Sequence, residues 1–195
     1  MLRRLSSKAF TPYDIHEQRQ LASINNHFLF YIGLFVKLLL VIFLIPETHQ
    51  QWFYPFLTNS IENFSPDPWS QFINQGFSPT AFPYGLSMFL SYLPLTYVGY
   101  LLDNYLGVNI FLGIFFTLTS LIFDYATLIS LSLLTKSKSN TLLLFLYWCS
   151  PLVLYITYIH GQLDVVPVML LMWSICMIQW NRYKLSGILL ACAIS

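Results

Sequence analysis

Charged residues are scarce in this chain. Only 9% of its 195 residues are Asp, Glu, Lys or Arg, whereas a soluble domain has about 25%. Nine basic residues stand against eight acidic ones, so the chain lacks the positive excess that binds nucleic acid. Hydrophobic residues make up 56% and occur in long blocks, with a mean hydropathy of +0.62. This composition excludes a disordered chain and an ordinary soluble enzyme, and it predicts an all-α, polytopic transmembrane helix bundle.

Cysteine and recognisable catalytic motifs are also rare. Cys149, Cys176 and Cys192 all lie inside apolar blocks, and their spacing fits neither a zinc site nor a disulfide framework. The sequence has no Gly-rich phosphate loop, no Ser/His/Asp order and no His-x-x-x-His spacing. No metal site is therefore predicted from motifs, and candidate residues have to be found from their placement.

Six apolar stretches follow a polar N-terminal segment. We predict a cytoplasmic segment over residues 1–26 and a transmembrane domain over residues 27–195, truncated at its C-terminus because the last stretch is too short to cross a bilayer. The first stretch has 19 residues and would span about 28 Å as a helix. No small-residue cleavage signature follows it, which predicts an uncleaved signal anchor. The stretches are His27–Ile45, Tyr84–Leu102, Gly107–Leu134, Thr141–Ile159, Asp164–Trp180 and Leu185 onward.

The distribution of charge predicts how these stretches are oriented. Cationic loops remain cytoplasmic, yet simple alternation would place the basic residues of the later loops beside loop 46–83, which has no Lys or Arg. The charges separate if Tyr84–Leu102 dips in and returns, or lies along the interface. The prediction is thus a long outer loop bearing a re-entrant or juxtamembrane helix. The cytoplasmic side then holds Arg3, Arg4, Lys8, Arg19, Lys136, Lys138, Arg182 and Lys184, and the outer side holds Glu47, Glu62, Asp67, Asp103 and Asp164.

Two ionisable residues fall inside apolar stretches. Lys37 and Asp124 each lie ten residues from the predicted inner end of their stretch, which corresponds to an equal depth of roughly 15 Å. Charges inside a bilayer are costly unless they are paired. We therefore expect an ion pair between neighbouring helices. In the alternative, Lys37 reaches towards the interface and Asp124 lines a wet cavity.

Two polar clusters fall on the predicted outer side. The first is Ser65-Pro66-Asp67-Pro68-Trp69, with Phe82-Pro83-Tyr84-Gly85 at the mouth of the next apolar stretch. The second is His160-Gly161-Gln162-Leu163-Asp164, in the turn between two stretches. An acid, an imidazole and an amide that meet beside lipid would form a polar pocket. Alternatively, Asp67 is a turn residue, the His-Gly pair ends one helix, and Asp164 caps the next.

At these clusters the sequence resembles the multi-span glycosyltransferases of the C superfamily, which use polyprenyl-phosphate sugars as donors. The resemblance is carried by Asp67 with Pro68-Trp69, by Phe82–Gly85, and by the run from Ser150 to Gly187. It extends in layout over most of residues 27–195. Many members have the acidic residue directly before the second loop helix, whereas Asp67 and Tyr84 are 17 residues apart here.

The resemblance implies an inverting hexosyl- or mannosyltransferase of the plasma (inner) membrane. A sugar would move from the lipid-linked donor to a saccharide, lipid or protein acceptor at the extracytoplasmic face, with membrane lipid but no nucleic acid as a partner. Asp67 would be the catalytic base, and the substrate-binding residues would be Tyr84, His160, Gln162 and Asp164. A divalent cation held by Asp67, His160 and Asp164 is left open.

Two other functions remain as alternatives at the level of sequence. A transporter or flippase subunit is favoured by a re-entrant helix and by the embedded residues Lys37 and Asp124, since both features occur in transport pathways. The polar residues gather at one face, however, and no inverted repeat is evident. The remaining alternative is a structural membrane subunit without a site.

Overall fold

The computed structural model describes residues 21–78, 80–135 and 140–195. The predictions for Arg3, Arg4, Lys8, Arg19, Lys136 and Lys138, and for most of segment 1–26, lie outside these residues. Every regular element in the described ranges is helical and none is a strand, so the all-α prediction is confirmed. The helices are α1 (Phe28–Phe43), α2 (Tyr54–Glu62), α3 (Pro68–Asn74), α4 (Leu86–Leu106), α5 (Phe111–Thr135), α6 (Asn140–Ile159), α7 (Val165–Gln179) and α8 (Tyr183–Ile194).

Two of these helices are able to cross a membrane by length and composition. They are α5, with 25 residues, and α6, with 20 residues. Helices α1, α7 and α8 are also apolar but shorter, at 16, 15 and 12 residues. Helix α4 has 21 residues but is less apolar, because tyrosines, Pro94, Asp103 and Asn104 interrupt it.

The described residues include three π-helical turns. The turn His49–Phe53 leads directly into α2, and α6 includes the turns Leu144–Trp148 and Tyr155–Ile159. Between the latter two, Ser150 adopts an extended backbone and Pro151 begins a new helical turn. This break is expected because proline lacks an N–H and disfavours a helical conformation in the residue before it.

Helix α5 is central, and α1 packs against it antiparallel. Lys37 of α1 reaches Asp124 of α5, and Ile45, just after α1, lies against Gly113 near the start of α5. Helix α6 runs parallel to α1. Its first turn is bonded to His27 through Thr141 (3.0 Å between Nε2 and Oγ1), and the residue after its last turn, His160, is bonded to Thr48.

Helices α7 and α8 form an antiparallel pair on the other side of α5. The indole of Trp173 in α7 donates to the carbonyl of Ala126 in α5 (3.0 Å), and Ser174 bonds Ser186 of α8 (2.9 Å between hydroxyls). Trp173 contacts Ala126 and, further along both helices, Cys176 contacts Ser130, so α7 is parallel to α5. The joint between α7 and α8 therefore lies at the end of the molecule where α5 finishes. We call this end, which carries Arg182 and Lys184, the basic end.

Helix α4 lies over the beginning of α5. Tyr92 bonds Ser120 (2.8 Å between hydroxyls), and Gly99 approaches the backbone of Phe111 and Leu112, where a Cβ atom would be 2.6 Å from the Phe111 carbonyl oxygen. Phe89 in the first turn of α4 packs against Phe56 and Trp69, and Tyr100 near its end donates to Glu62, so both parts of α4 contact segment 46–83. Because Tyr92 lies beside Ser120 and Gly99 beside Phe111, α4 runs antiparallel to the first part of α5.

The start of α5 differs from the sequence prediction, which began this stretch at Gly107. Gly107 has φ +66° and ends α4 in the left-handed conformation. The carboxylate of Asp103 then accepts hydrogen bonds from the backbone N–H groups of Ile110, Phe111 and Leu112 at 2.8–2.9 Å. These would otherwise be unsatisfied at the N-terminus of α5. A sharp turn thus replaces the first part of the predicted stretch.

Candidate functional site

The acidic side chains gather at one end of the molecule, which we call the acidic end. It consists of segment 46–83, the turn between α4 and α5, and turn 160–164. Of the acidic residues in the described ranges, all except Asp124 lie here, namely Glu47, Glu62, Asp67, Asp103 and Asp164. The described basic residues lie elsewhere: Lys37 is buried midway, and Arg182 and Lys184 are at the basic end.

An aromatic cluster joins the three sequence regions that carry the predicted site residues. Phe56 stacks on Phe82 with their ring centroids 4.8 Å apart, and Trp69 donates its indole N–H to the carbonyl of Phe82 (3.2 Å). Leu163 and Val166, on either side of Asp164, are fully buried in the same cluster. Both predicted polar regions are therefore held on one hydrophobic support. The cluster comprises Phe53, Phe56, Phe72, Phe82, Phe89, Tyr92, Phe116 and their apolar neighbours.

Asp67 is the N-cap residue of α3. Its carboxylate accepts a hydrogen bond from the backbone N–H of Ser70 (3.1 Å), and its own backbone bonds the Ser65 hydroxyl. The side chain is otherwise exposed. Hydrogen bonding from Ser70 lowers the pKa of Asp67, so the carboxylate is ionised at neutral pH. The sequence alternative for Asp67 is a turn residue, and the structure instead has it capping α3; its role as a base remains a prediction.

The polar side chains of turn 160–164 face the surface of the molecule. His160 and Asp164 are exposed, Gln162 is half-buried, and its amide lies 3.4 Å from Nδ1 of His160. Gly161 has φ +79° directly after the last helical turn of α6, as in a helix that ends with a glycine. Asp164 is at the N-cap position of α7 but makes no capping hydrogen bond, so its carboxylate is open to solvent.

Tyr84 connects the two predicted polar regions. It is half-buried, packs edge-on against Phe53 and Phe82, and lies beside the backbone of Leu163. Burial, together with the nearby negative charge of Asp164, raises the pKa of Tyr84. The structure thus brings Tyr84 and Asp164 together. In the described residues no hydrogen bond links either of them to Asp67, which is joined to them through the aromatic cluster.

His49 is a residue that the sequence analysis missed. It is fully buried, and its Nε2 lies 3.0 Å from the carbonyl oxygen of Gly161, to which it donates. Thr48 donates to the carbonyl of His160 beside it (2.8 Å). Burial lowers the pKa of His49 to about 4, so the ring is neutral near pH 7. No sequence pattern identifies this contact, because both acceptors are backbone carbonyls 112 residues away.

The space for this contact depends on Gly161. A Cβ atom there would come within 2.6–2.7 Å of Thr48 and His49, and the positive φ independently disfavours other residues. The clamp formed by Thr48, His49 and Gly161 therefore fixes turn 160–164 to the segment that leads into α2.

The expected ion pair between α1 and α5 is confirmed. Lys37 Nζ lies 2.6 Å from Asp124 Oδ2, and both side chains have no exposed surface. The hydroxyls of Tyr147 and Tyr158 donate to the two carboxylate oxygens at 2.8 and 2.7 Å, and the ammonium lies 3.5 Å from the ring centroid of Trp148. The alternative, in which Asp124 lines a wet cavity, is excluded because its side chain is fully buried and paired.

Within the described ranges, no group of three His, Cys, Asp or Glu side chains is arranged to hold a metal ion. Asp67, His160 and Asp164 are accordingly not gathered as a ligand set. A comparison with known proteins adds no family: no protein-family model, curated protein or solved structure matches the chain.

Proposed function

We propose that this chain belongs to a multi-span membrane glycosyltransferase that moves a hexose or mannose from a polyprenyl-phosphate donor to an acceptor at the extracytoplasmic face. The acceptor would be a saccharide, a lipid or a protein. The observation that carries the proposal is the clamp between segment 46–49 and turn 160–161, with Tyr84 beside Asp164. These contacts hold the candidate residues of two distant sequence regions at one end of the helices.

Exposed apolar side chains support a membrane location. Phe28 and Phe43 on α1 are 74% and 79% exposed, and Phe145 on α6 is 63% exposed. Apolar surface of this kind on successive helices is typical of contact with lipid. In the proposed topology, α1, α5, α6 and α7 cross the bilayer, α8 enters it from the cytoplasmic side, and α4 remains near the outer interface.

The charge distribution supports the orientation. Because cationic segments stay cytoplasmic, the basic end with Arg182 and Lys184 would face the cytoplasm of the plasma (inner) membrane. The acidic end would face outward, where a lipid-linked sugar presents its anomeric carbon.

The chemistry required at that carbon is limited, since the lipid phosphate is already a good leaving group. An ionised, exposed Asp67 has the properties of a base that removes a proton from the acceptor hydroxyl. His160, Gln162 and Tyr84 would donate hydrogen bonds to the sugar or to the departing phosphate, and Asp164 would orient the acceptor or His160. No described Lys or Arg lies at the acidic end, so neutral donors would have to stabilise the phosphate.

The substitution Asp67→Asn tests the proposal. Asparagine caps a helix about as well as aspartate, so α3 should be preserved while the base is lost. We expect the transfer of radiolabelled mannose or glucose from polyprenyl phosphate, measured in membranes that contain the protein, to fall about 10²–10⁴-fold.

Glu47→Gln provides the matched control. Glu47 is an exposed carboxylate at the same end and accepts a hydrogen bond from Gln51 (2.6 Å). Its substitution should leave transfer within about twofold of the wild type, because surface changes away from a site have small effects. Undiminished transfer by the Asp67→Asn protein would remove Asp67 from the mechanism.

A further inference from the structure

A polar groove of about 510 Å³ lies at the acidic end, between α2 and the turn that joins α4 to α5. Its volume is within the range of small-molecule sites, about 300–1,000 Å³. None of the candidate residues described above lines it: Asp67, Tyr84 and turn 160–164 are elsewhere. The groove is thus separate from the proposed site of transfer.

One wall of the groove is a single face of α2 and of the turn before it. Gln50, Tyr54, Thr58 and Glu62 are spaced four residues apart, which places them on one side of a helix. The opposite side of the same helix carries Phe56, which is buried in the aromatic cluster. Packing on that side therefore sets the orientation of the polar face.

The other wall is the turn between α4 and α5 together with the start of α5. Asp103 caps the first backbone N–H groups of this helix, and Asn104 and Asn109 project on either side of the turn. The two walls are connected by the Tyr100 hydroxyl, which donates to Glu62 (3.1 Å). The groove consequently has a defined shape without a ligand.

The lining offers hydrogen-bonding groups that the protein does not use. Thr58, Asn104 and Asn109 make no side-chain hydrogen bonds with the rest of the described chain. Each amide presents two donors and an acceptor, and the rings of Tyr54 and Tyr100 add flat apolar surface. Paired donors and acceptors beside an aromatic ring match the alternating hydroxyl and C–H surfaces of a sugar.

The charge of the lining selects among such ligands. Two carboxylates, Glu62 and Asp103, belong to it, and no Lys, Arg or His does. A phosphate or a carboxylate would be repelled by these charges, whereas an uncharged polyol would not. From this chemistry we propose that the groove is a binding site for a neutral saccharide. The proposal does not depend on transfer activity by the chain.

Saturation-transfer NMR on the full chain in phosphatidylcholine nanodiscs tests the proposal. The probes are mannose, glucose, galactose, N-acetylglucosamine and maltose, each titrated to saturation, with glucose 1-phosphate and mannose 1-phosphate as charged counterparts. We expect saturable binding of at least one neutral sugar and binding about tenfold weaker for its phosphate.

The double substitution Asn104→Leu with Asn109→Leu should weaken that binding at least about fivefold, because it removes two sets of neutral hydrogen bonds. Asn74→Leu is the matched control: it makes the same change at an exposed position of α3 outside the groove, and it should bind like the wild type. All three positions are exposed, so the fold should be retained, as checked by thermal unfolding. Asp67→Asn should also leave binding unchanged, which separates this site from the proposed base.

Three results would overturn the proposal. They are no saturable binding of any neutral sugar, equal binding by the wild type and the double variant, and binding of the sugar phosphates as tight as that of the neutral sugars.

Discussion

His49 illustrates how one buried side chain organises the acidic end. Its ring lies 4.7 Å from that of Phe116 (between centroids) and donates to Gly161, so it contacts both α5 and turn 160–164. Donation from Nε2 requires the neutral tautomer with the proton on that nitrogen, and Nδ1 is buried without a partner. Protonation of Nδ1 would place an uncompensated charge in an aromatic environment.

This environment predicts a pH dependence of stability. The pKa of His49 is about 4 in the folded chain, against an ordinary value of 6.5. Between these values the unfolded chain binds a proton that the folded chain does not. Stability should therefore be retained above pH 6.5 and fall by up to about 3 kcal/mol as the pH drops to about 4.

Thermal unfolding of the wild type and of His49→Gln in detergent, measured from pH 7.5 to pH 4, checks this prediction. Glutamine keeps an N–H donor but does not titrate, so the difference between the two profiles isolates His49 from other titrating groups. Parallel profiles across this range would show that His49 is not the group responsible.

Asp67 shows the limit of inference at the scale of a residue. The sequence predicts a turn residue or a base at the proline-flanked aspartate, whereas the structure has α3 beginning directly after it. Whether a capping carboxylate is also a base depends on what binds in front of it, which local sequence does not encode.

At the scale of helices, the contact between α1, α5 and α6 depends on the buried Lys37–Asp124 pair. The charged groups of the pair have further partners: both carboxylate oxygens accept hydrogen bonds from tyrosine hydroxyls, and the ammonium lies over the ring of Trp148. The pair is fully buried. This closed arrangement favours a structural role over a transport pathway, which would require water to reach the charges.

Single and double neutralisation of the pair test this role. Lys37→Met and Asp124→Asn should each destabilise the protein by about 3–5 kcal/mol, because each leaves one buried charge without its partner. The double variant should be more stable than either single variant, as measured by chemical or thermal unfolding. Lys184→Met, at an exposed position, is the control and should change stability by less than about 0.5 kcal/mol. Additive losses in the double variant would contradict the structural role.

Helices α2 and α3 form in segment 46–83, which the sequence predicts to be part of a long outer loop. Neither is long or apolar enough to be recognised from hydropathy. They are stabilised by tertiary packing, since Phe56 and Phe72 bury their rings in the aromatic cluster.

The arrangement of the whole molecule separates its charges into an acidic and a basic end. In the proposed topology, this separation predicts opposite accessibility of the two ends. Cysteines introduced at Glu47 and Asn104 should react with an impermeant maleimide from outside sealed vesicles of native orientation, and a cysteine at Lys184 should not. The three native cysteines would be replaced by alanine for this measurement.

Labelling of position 104 from the same side as position 184 would contradict the proposed orientation. It would mean that α4 crosses the membrane and that the turn between α4 and α5 does not share the outer face with segment 46–83, against the contact between Tyr100 and Glu62.

Composition and hydropathy alone determined that the chain is helical, that its apolar stretches lie close to the observed helices, and that Lys37 and Asp124 are at matching depth. These properties are local, because helix formation and burial of apolar stretches follow from the residue types within each stretch. Tertiary structure decided three further features: the clamp at Gly161, the proximity of Tyr84 to Asp164, and the polar groove. Each joins residues separated by dozens of positions, so its geometry depends on how the helices pack, and no single stretch of sequence contains that information.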